Sequence, residues 1–239
     1  MITNCLIINM DTRDDLWDKL SLFREEWINA GKSCHRMPGT NYKDKTNILN
    51  DYIQSNRINL NGTGFRHNKS SFLGELGCYD SHYKCWKYIT DNNLKYCLIL
   101  EDGIEILRHD FKNITMNENI DLLYVNEEMK INGNNEFIGY GTQGYVLSYN
   151  GAKILLNLCN TMQCPIDLQL RSVCNSKNIS AITLSEPFVK RDNNRCSSII
   201  DVRLLNDQNN LNDKQNAHSI IQRIIMNLLK TGVNLDQYI

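Results

Sequence analysis

An unbroken apolar run, Cys5–Met10 (CLIINM), stands near the start of the chain and gives way at once to the polar segment DTRDD. Apolar residues without alternation, over one strand's length, mark a parallel strand covered on both faces. Leu16, Leu20, Phe23 and Trp27 then recur at helical spacing, and Gly31 stands where helices commonly end. The opening predicts strand, loop, helix. From Lys32 to Ser71 the periodicity fades into turn-rich sequence (MPGTNYKDK, NLNGTGFRHNKSS), with one short helical candidate at Ile48–Ile53.

Periodicity returns at Leu73. Cys78, His82, Cys85 and Ile89 share a helical face with Trp86 beside them, and Glu75 falls in the expected first turn, where a carboxylate complements the helix dipole. A second strand, Tyr96–Leu100 (YCLIL), runs straight into Glu101, Asp102 and Gly103. Further strands are expected at 121–125 (DLLYV), at 145–148 (YVLS, after GYGTQG) and, shorter, at Ala181–Leu184. Helices are expected at Gly151–Cys159 and Ile166–Cys174, the second opening at Pro165. Strands alternating with helices predict an α/β fold with a mostly parallel sheet flanked by helices. Residues 1–200 form the expected domain. Residues 201–239 form an extension, polar to Lys214 and then a helix striped with Ile220, Ile221, Ile224, Ile225, Leu228 and Leu229. Such a stripe suits a homodimer interface or packing back onto the domain.

Composition narrows the class. With 239 residues, 41% hydrophobic and 22% charged, the chain can bury a sizeable core. A formal net charge of −1 excludes holding nucleic acid by bulk charge. No apolar run reaches the roughly 20 residues of a membrane span, and Met1–Met10 lacks a basic leader region and cleavage site. The nine cysteines are scattered, with no C-x-x-C pair, which fits reduced, mostly buried thiols better than a disulfide framework or a zinc site. A cytoplasmic location is therefore expected, or recruitment to a membrane by a partner. Four Asn-x-Ser/Thr sequons accompany an asparagine-rich composition and carry no glycosylation reading.

The candidate chemistry has a plain alternative at each position. Glu101 and Asp102 end a strand, where open α/β sheets bind ligands and two acids can hold a divalent cation; equally, they can cap the next element. The glycines of GYGTQG permit close backbone approach to a phosphate or sugar, or simply a left-handed loop; the segment lacks the dinucleotide spacing. His82 on an apolar face suits a hydrogen-bonded core histidine, and Asp167 suits an N-terminal cap.

The order of these blocks carries more than any one of them. In INMDTRD (8–14), GELGCYDSHYKCWKYI (74–89), LILEDGIEI (98–106), DLLYVN (121–126), GYGTQGYVLSYNGAKILL (139–156), PIDLQL (165–170) and SSI (197–199), the chain resembles glycosyltransferase family 25. That family includes lipooligosaccharide and collagen galactosyltransferases. The resemblance implies a GT-A type, Rossmann-like nucleotide-sugar domain. It also implies transfer of a hexose, galactose or glucose, from a UDP-sugar to a saccharide, glycoprotein or glycolipid acceptor, with inversion.

Residue by residue, the resemblance places Asn9, Asp11 and Arg13 facing the nucleotide, and Glu75 and His82 in the donor-site helix block. It places Glu101 and Asp102 in the acidic motif, with Asp102 as ligand to Mn²⁺ or Mg²⁺. Asp167 is the implied general base, with Asp102 and Glu186 as alternatives. The chain departs from the family at Gly103, where the family usually carries a third acid. Glu105 is near but not equivalent. An impaired member that binds nucleotide sugar or glycan without turnover is the alternative reading.

Overall fold

The computed structural model describes residues 1–40, 55, 57–58, 69–111 and 114–192. The helical candidate at 48–53, the SSI block and the expected helix of the 201–239 extension lie outside the described residues.

The elements follow in the order β1 (Asn4–Asn9), α1 (Asp14–Lys19), α2 (Ser21–Asn29), β2 (Ser33–Pro38), α3 (Lys69–Asp91), β3 (Tyr96–Glu101), β4 (Ile104–Ile106), β5 (Leu122–Tyr124), β6 (Lys130–Ile131), β7 (Phe137–Ile138), β8 (Gly144–Ser148), α4 (Tyr149–Leu158), α5 (Ile166–Asn175), β9 (Ala181–Thr183) and β10 (Val189–Arg191). Six strands form the main sheet in the order β2-β1-β3-β8-β5-β9. β8 is antiparallel to both its neighbours and the other pairs are parallel, so five of the six strands run the same way. The sheet is mostly parallel, as expected. β4 pairs with β10, and β6 with β7, as small antiparallel ribbons.

The alternation of side chains along each strand sends them to two cores. Leu6, Cys97, Ile99, Tyr145 and Leu147 face one side, against Leu76, Trp86 and Ile89 of α3, Ala152 and Leu155 of α4 and Leu170 of α5. Cys5, Ile7, Leu98, Leu100 and Val146 face the other, against Phe23 and Trp27 of α2 together with Phe111 and Phe188. Strands covered on both faces have no polar alternation, which explains the unbroken apolar runs of β1 and β3.

Some elements differ from the sequence pattern. The first helix is two, divided at Leu20, although Gly31 does close it with φ +75°. β2 emerges from sequence without a strand pattern because it is an edge strand, its side chains largely exposed or half-buried. α3 begins at Lys69, since the polar Lys69-Ser70-Ser71 carries no apolar period to announce it; Glu75 therefore lies beyond the first turn, and the dipole argument does not apply to it. The eight described cysteines are free, five of them buried. Among the described residues, no helix is long and apolar enough to cross a membrane.

Candidate functional site

The carboxyl ends of β1, β3 and β5 share one edge of the sheet, and antiparallel β8 brings its amino end to the same edge. Four short segments meet there: Asn9, Glu101–Asp102, Asn126 and Thr142–Gln143. The Gln143 carbonyl accepts from the Glu101 amide at 3.0 Å, and Asn126 Nδ2 donates to Gly141 O at 3.2 Å and Gln143 Oε1 at 3.1 Å. Gly139 and Gly141 have φ of +98° and +106°, which a side chain would strain, so GYGTQG is a loop that needs its glycines for conformation. The Oδ1 atoms of Asn9 and Asn126 are buried without a hydrogen-bond partner, on residues 1% and 4% exposed. A buried acceptor in that state costs free energy unless a ligand or water meets it.

Strand alternation separates the two acids. Glu101 continues the β3 positions that face α3, and there it meets His82, which is fully buried. His82 Nε2 lies 3.3 Å from Glu101 Oε1, and Thr142 Oγ1 donates to the same oxygen at 2.6 Å. On the ring's other side, His82 Nδ1 is 2.9 Å from the Tyr145 hydroxyl, to which Trp86 Nε1 donates at 2.8 Å. Donor counting orders this chain. An indole N–H only donates and a carboxylate only accepts, so Tyr145 accepts from Trp86, and Nε2–H of His82 points at Glu101. Burial works to raise the Glu101 carboxyl. The His82 hydrogen bond and charge, the Thr142 bond and the Arg191 charge outweigh it and hold Glu101 below its usual range.

Asp102 belongs to the opposite face. Asn9 Nδ2 donates to Asp102 Oδ2 at 2.8 Å and to the Arg13 carbonyl at 2.9 Å, so one amide ties the end of β1, the following loop and the acid together. Burial raises Asp102 above its usual range, opposed by the Arg13 charge and the Asn9 bond and reinforced by Glu101 and Asp15. The next residue, Gly103, accepts from the Asp192 amide at 3.1 Å, and the Asp192 carboxylate is paired with Lys19 at 2.5 Å. A Cβ built on Gly103 meets nothing within 4 Å.

Glu75 and Asp167 approach from the α3–α5 side. Both carry charge that pushes the Cys78 and Cys164 thiols up, after burial as the leading cause. Asp167 is half-buried in the first turn of α5, with Oδ1 accepting from Leu168 N at 2.9 Å. Cys78 in turn lies beside Thr142, Sγ to Oγ1 3.9 Å. Asn9, Arg13, Glu101, Asp102 and His82 are thus joined directly, and Glu75 and Asp167 border the same cluster. Asp11 is exposed and, among the described residues, makes no bond into it. Glu186 is on the surface, paired with Arg108 at 3.0 Å. Glu105 is exposed and paired with Lys190 at 3.2 Å, which sets it apart from the missing third acid.

Sequence reasoning did not single out Thr142, Tyr145, Asn126 or Arg191 as site residues. Thr142 stood inside a segment read for its glycines, and Asn126 ended an apolar strand without comment. Arg191 had no signal at all.

A hard divalent cation needs about six oxygen ligands. Here one oxygen of each acid is already bonded, Glu101 Oε1 to His82 and Thr142 and Asp102 Oδ2 to Asn9, while Gly103 has no carboxylate and Glu105 is turned to Lys190. These residues do not fit the family's metal as a resident ion. Cys78, His82 and Glu101 do bring their ligand atoms within 4.8 Å of one another. However, the Nε2 proton and the bonds to Tyr145 and Thr142 already occupy that triad, and a protonated ring nitrogen is no ligand.

Similarity to known proteins agrees with the sequence blocks. Procollagen galactosyltransferase 1-A of Xenopus laevis is 31% identical over 113 residues, covering 38% of this chain and 18% of that protein. A glycosyltransferase 25 family member of Drosophila pseudoobscura pseudoobscura is 25% identical over 180 residues, covering 65% of this chain and 27% of that one. The chain therefore spans well under a third of the length of these relatives. Among solved structures, a glycosyltransferase involved in glycosylation of the major capsid of PBCV-1 aligns with a TM-score of 0.49 at 9% identity, over 86% of this chain and 99% of that one. The model of glycosyltransferase family 25 (LPS biosynthesis protein) matches residues 3–136, more than half of the sequence, and the chain belongs to that family.

Proposed function

We propose that the chain is a GT-A type glycosyltransferase that moves a hexose, galactose or glucose, from a UDP-sugar to a hydroxyl of a saccharide, glycoprotein or glycolipid, with inversion at the anomeric carbon. The observation that carries this reading is the convergence of Asn9, Arg13, Glu101, Asp102 and Asn126 at one edge of a family 25 sheet, with two buried asparagine oxygens still open to a ligand. Ligands of open α/β sheets bind at the carboxyl ends of strands.

In this reading the acceptor oxygen attacks the anomeric carbon as the bond from that carbon to the diphosphate breaks. The acceptor's proton passes to the Asp167 carboxylate, and UDP departs with the bonding pair. Asp167 suits the base because it borders the cluster without being tied into it; among the described residues its one bond is to the neighbouring backbone amide. Asp102, held by Asn9 beside Arg13, suits the donor side. His82, Tyr145 and Trp86 orient Glu101 from behind.

The test is transfer from UDP-galactose and UDP-glucose to a panel of saccharide acceptors, with UDP release as the readout. Asp167→Asn is expected to keep UDP affinity within twofold and reduce turnover by about 10² or more. A fall in donor affinity with turnover intact would remove Asp167 from the role of base. Gly103 favours one second reading, binding of the nucleotide sugar without transfer; tight UDP binding with no transfer to any acceptor would select it.

A further inference from the structure

The geometry points to Arg13 and Arg191 as a two-guanidinium clamp that holds the diphosphate of the donor, doing without a divalent cation the work that the family assigns to its metal. The inference rests on the donor reading above and concerns how this chain, lacking the third acid, neutralises the leaving group.

Arg13 is placed by the backbone. Its carbonyl accepts from the same Asn9 amide that donates to Asp102, so the loop after β1 cannot leave the acid without breaking that link. Arg191 comes from the far end of the described chain. It is paired in register with Ile104 across the β4–β10 ribbon, its own amide donates to Glu128 Oε1 at 3.0 Å, and the next residue's amide binds Gly103 O. The ribbon thereby brings a second arginine to the turn where the third acid is missing. The charges of Arg13 and Arg191 reach Asp102 and Glu101, one on each acid.

The other cations nearby are engaged. Lys19 is paired with Asp192 and donates to Ile104 O, and Lys190 is paired with Glu105. Arg13 and Arg191 are both half-buried, and neither guanidinium makes a hydrogen bond or ion pair among the described residues. Guanidinium groups meet phosphate oxygens in bidentate fashion and remain charged throughout, so two of them can carry the charge that develops on a departing diphosphate. A hard cation, by contrast, would find no third acid at Gly103.

The experiment is calorimetric titration of UDP into the full chain, once in EDTA and once with Mn²⁺, followed by competition with inorganic pyrophosphate. The expected result is UDP affinity equal within twofold in the two conditions, displacement by pyrophosphate, and at least a tenfold loss in Arg191→Gln and in Arg13→Gln. Thermal melts of both variants show whether each remains folded, and Arg191→Lys, which keeps the charge but not the fork, should fall between. Lys190→Gln, on the same ribbon but paired outward, should bind UDP as the parent does. UDP affinity that drops tenfold or more in EDTA overturns the clamp and leaves the donor reading standing. Unchanged affinity in a folded Arg191→Gln likewise overturns it. Absence of UDP binding in both conditions overturns the clamp and the donor reading together.

Discussion

Glu101 and Asp102 are neighbours in sequence and end the same strand, yet they live in different environments. Glu101 faces α3, locked by His82 and Thr142, with Tyr145 and Trp86 buried behind them. Asp102 faces the other side, held by one side-chain amide beside the loop that brings Arg13. The cause is the twofold period of a strand, which sends consecutive side chains to opposite faces. A pair of acids read as one motif is thus two devices: a rigid carboxylate with its charge stabilised, and a loosely held one whose charge burial opposes.

The sharpest way to break the comparison is through the rigid half. Trp86 is fully buried and anchors the Tyr145 hydroxyl, so Trp86→Ala should cost about 3–5 kcal/mol through the cavity and the lost indole bond, read as a large drop in denaturation midpoint. A cost below about 1 kcal/mol would mean that the network behind Glu101 is not rigid.

Acid titration separates the halves next, because the two shifts have opposite sign. Glu101 is held below its usual range, so its contribution to stability is present above the unfolded-state value and is lost as pH falls through the folded one. Asp102 is raised, so its contribution is present below the unfolded-state value and is lost as pH rises through the folded one. Urea denaturation across the carboxylate range should show Glu101→Gln flattening the acid-side loss of stability and Asp102→Asn steepening it. Shifts of the same sign in both variants would erase the distinction.

The smallest structural effect belongs to Gly103→Asp. The new Cβ enters open space and the backbone there is not left-handed, so stability should change by no more than about 0.5 kcal/mol. The informative readout is Mn²⁺: the variant should acquire a metal-dependent gain in UDP affinity that the parent lacks. A variant as indifferent to Mn²⁺ as the parent would show that more than one missing acid separates this site from a metal-dependent one.

Much of the frame was legible from residue order alone. The runs CLIINM and YCLIL are apolar throughout because they are sheet-centre strands, and that property is local enough to read directly. The acids at the end of β3, the helix carrying His82 and the turn carrying Asp167 followed from the same periodicities. β2 was not legible, since an edge strand with exposed side chains lacks a hydrophobic signature. Nor was the direction of β8: pairing sense is a property of two strands, and no residue within GYVLS states it.

What the sequence by itself determined is the set of segments, their class and the two adjacent acids, because burial on both faces, helical spacing and turn chemistry are written into neighbouring residues. What only the tertiary structure decided is the partnership of each acid. His82 reaches Glu101 across 19 positions, Asn9 reaches Asp102 across 93, and Arg191 arrives opposite Ile104 by way of a ribbon of three-residue strands. Such contacts follow from packing distant elements against one sheet edge, and their geometry is set only when the sheet order, the strand directions and the two faces are all in place.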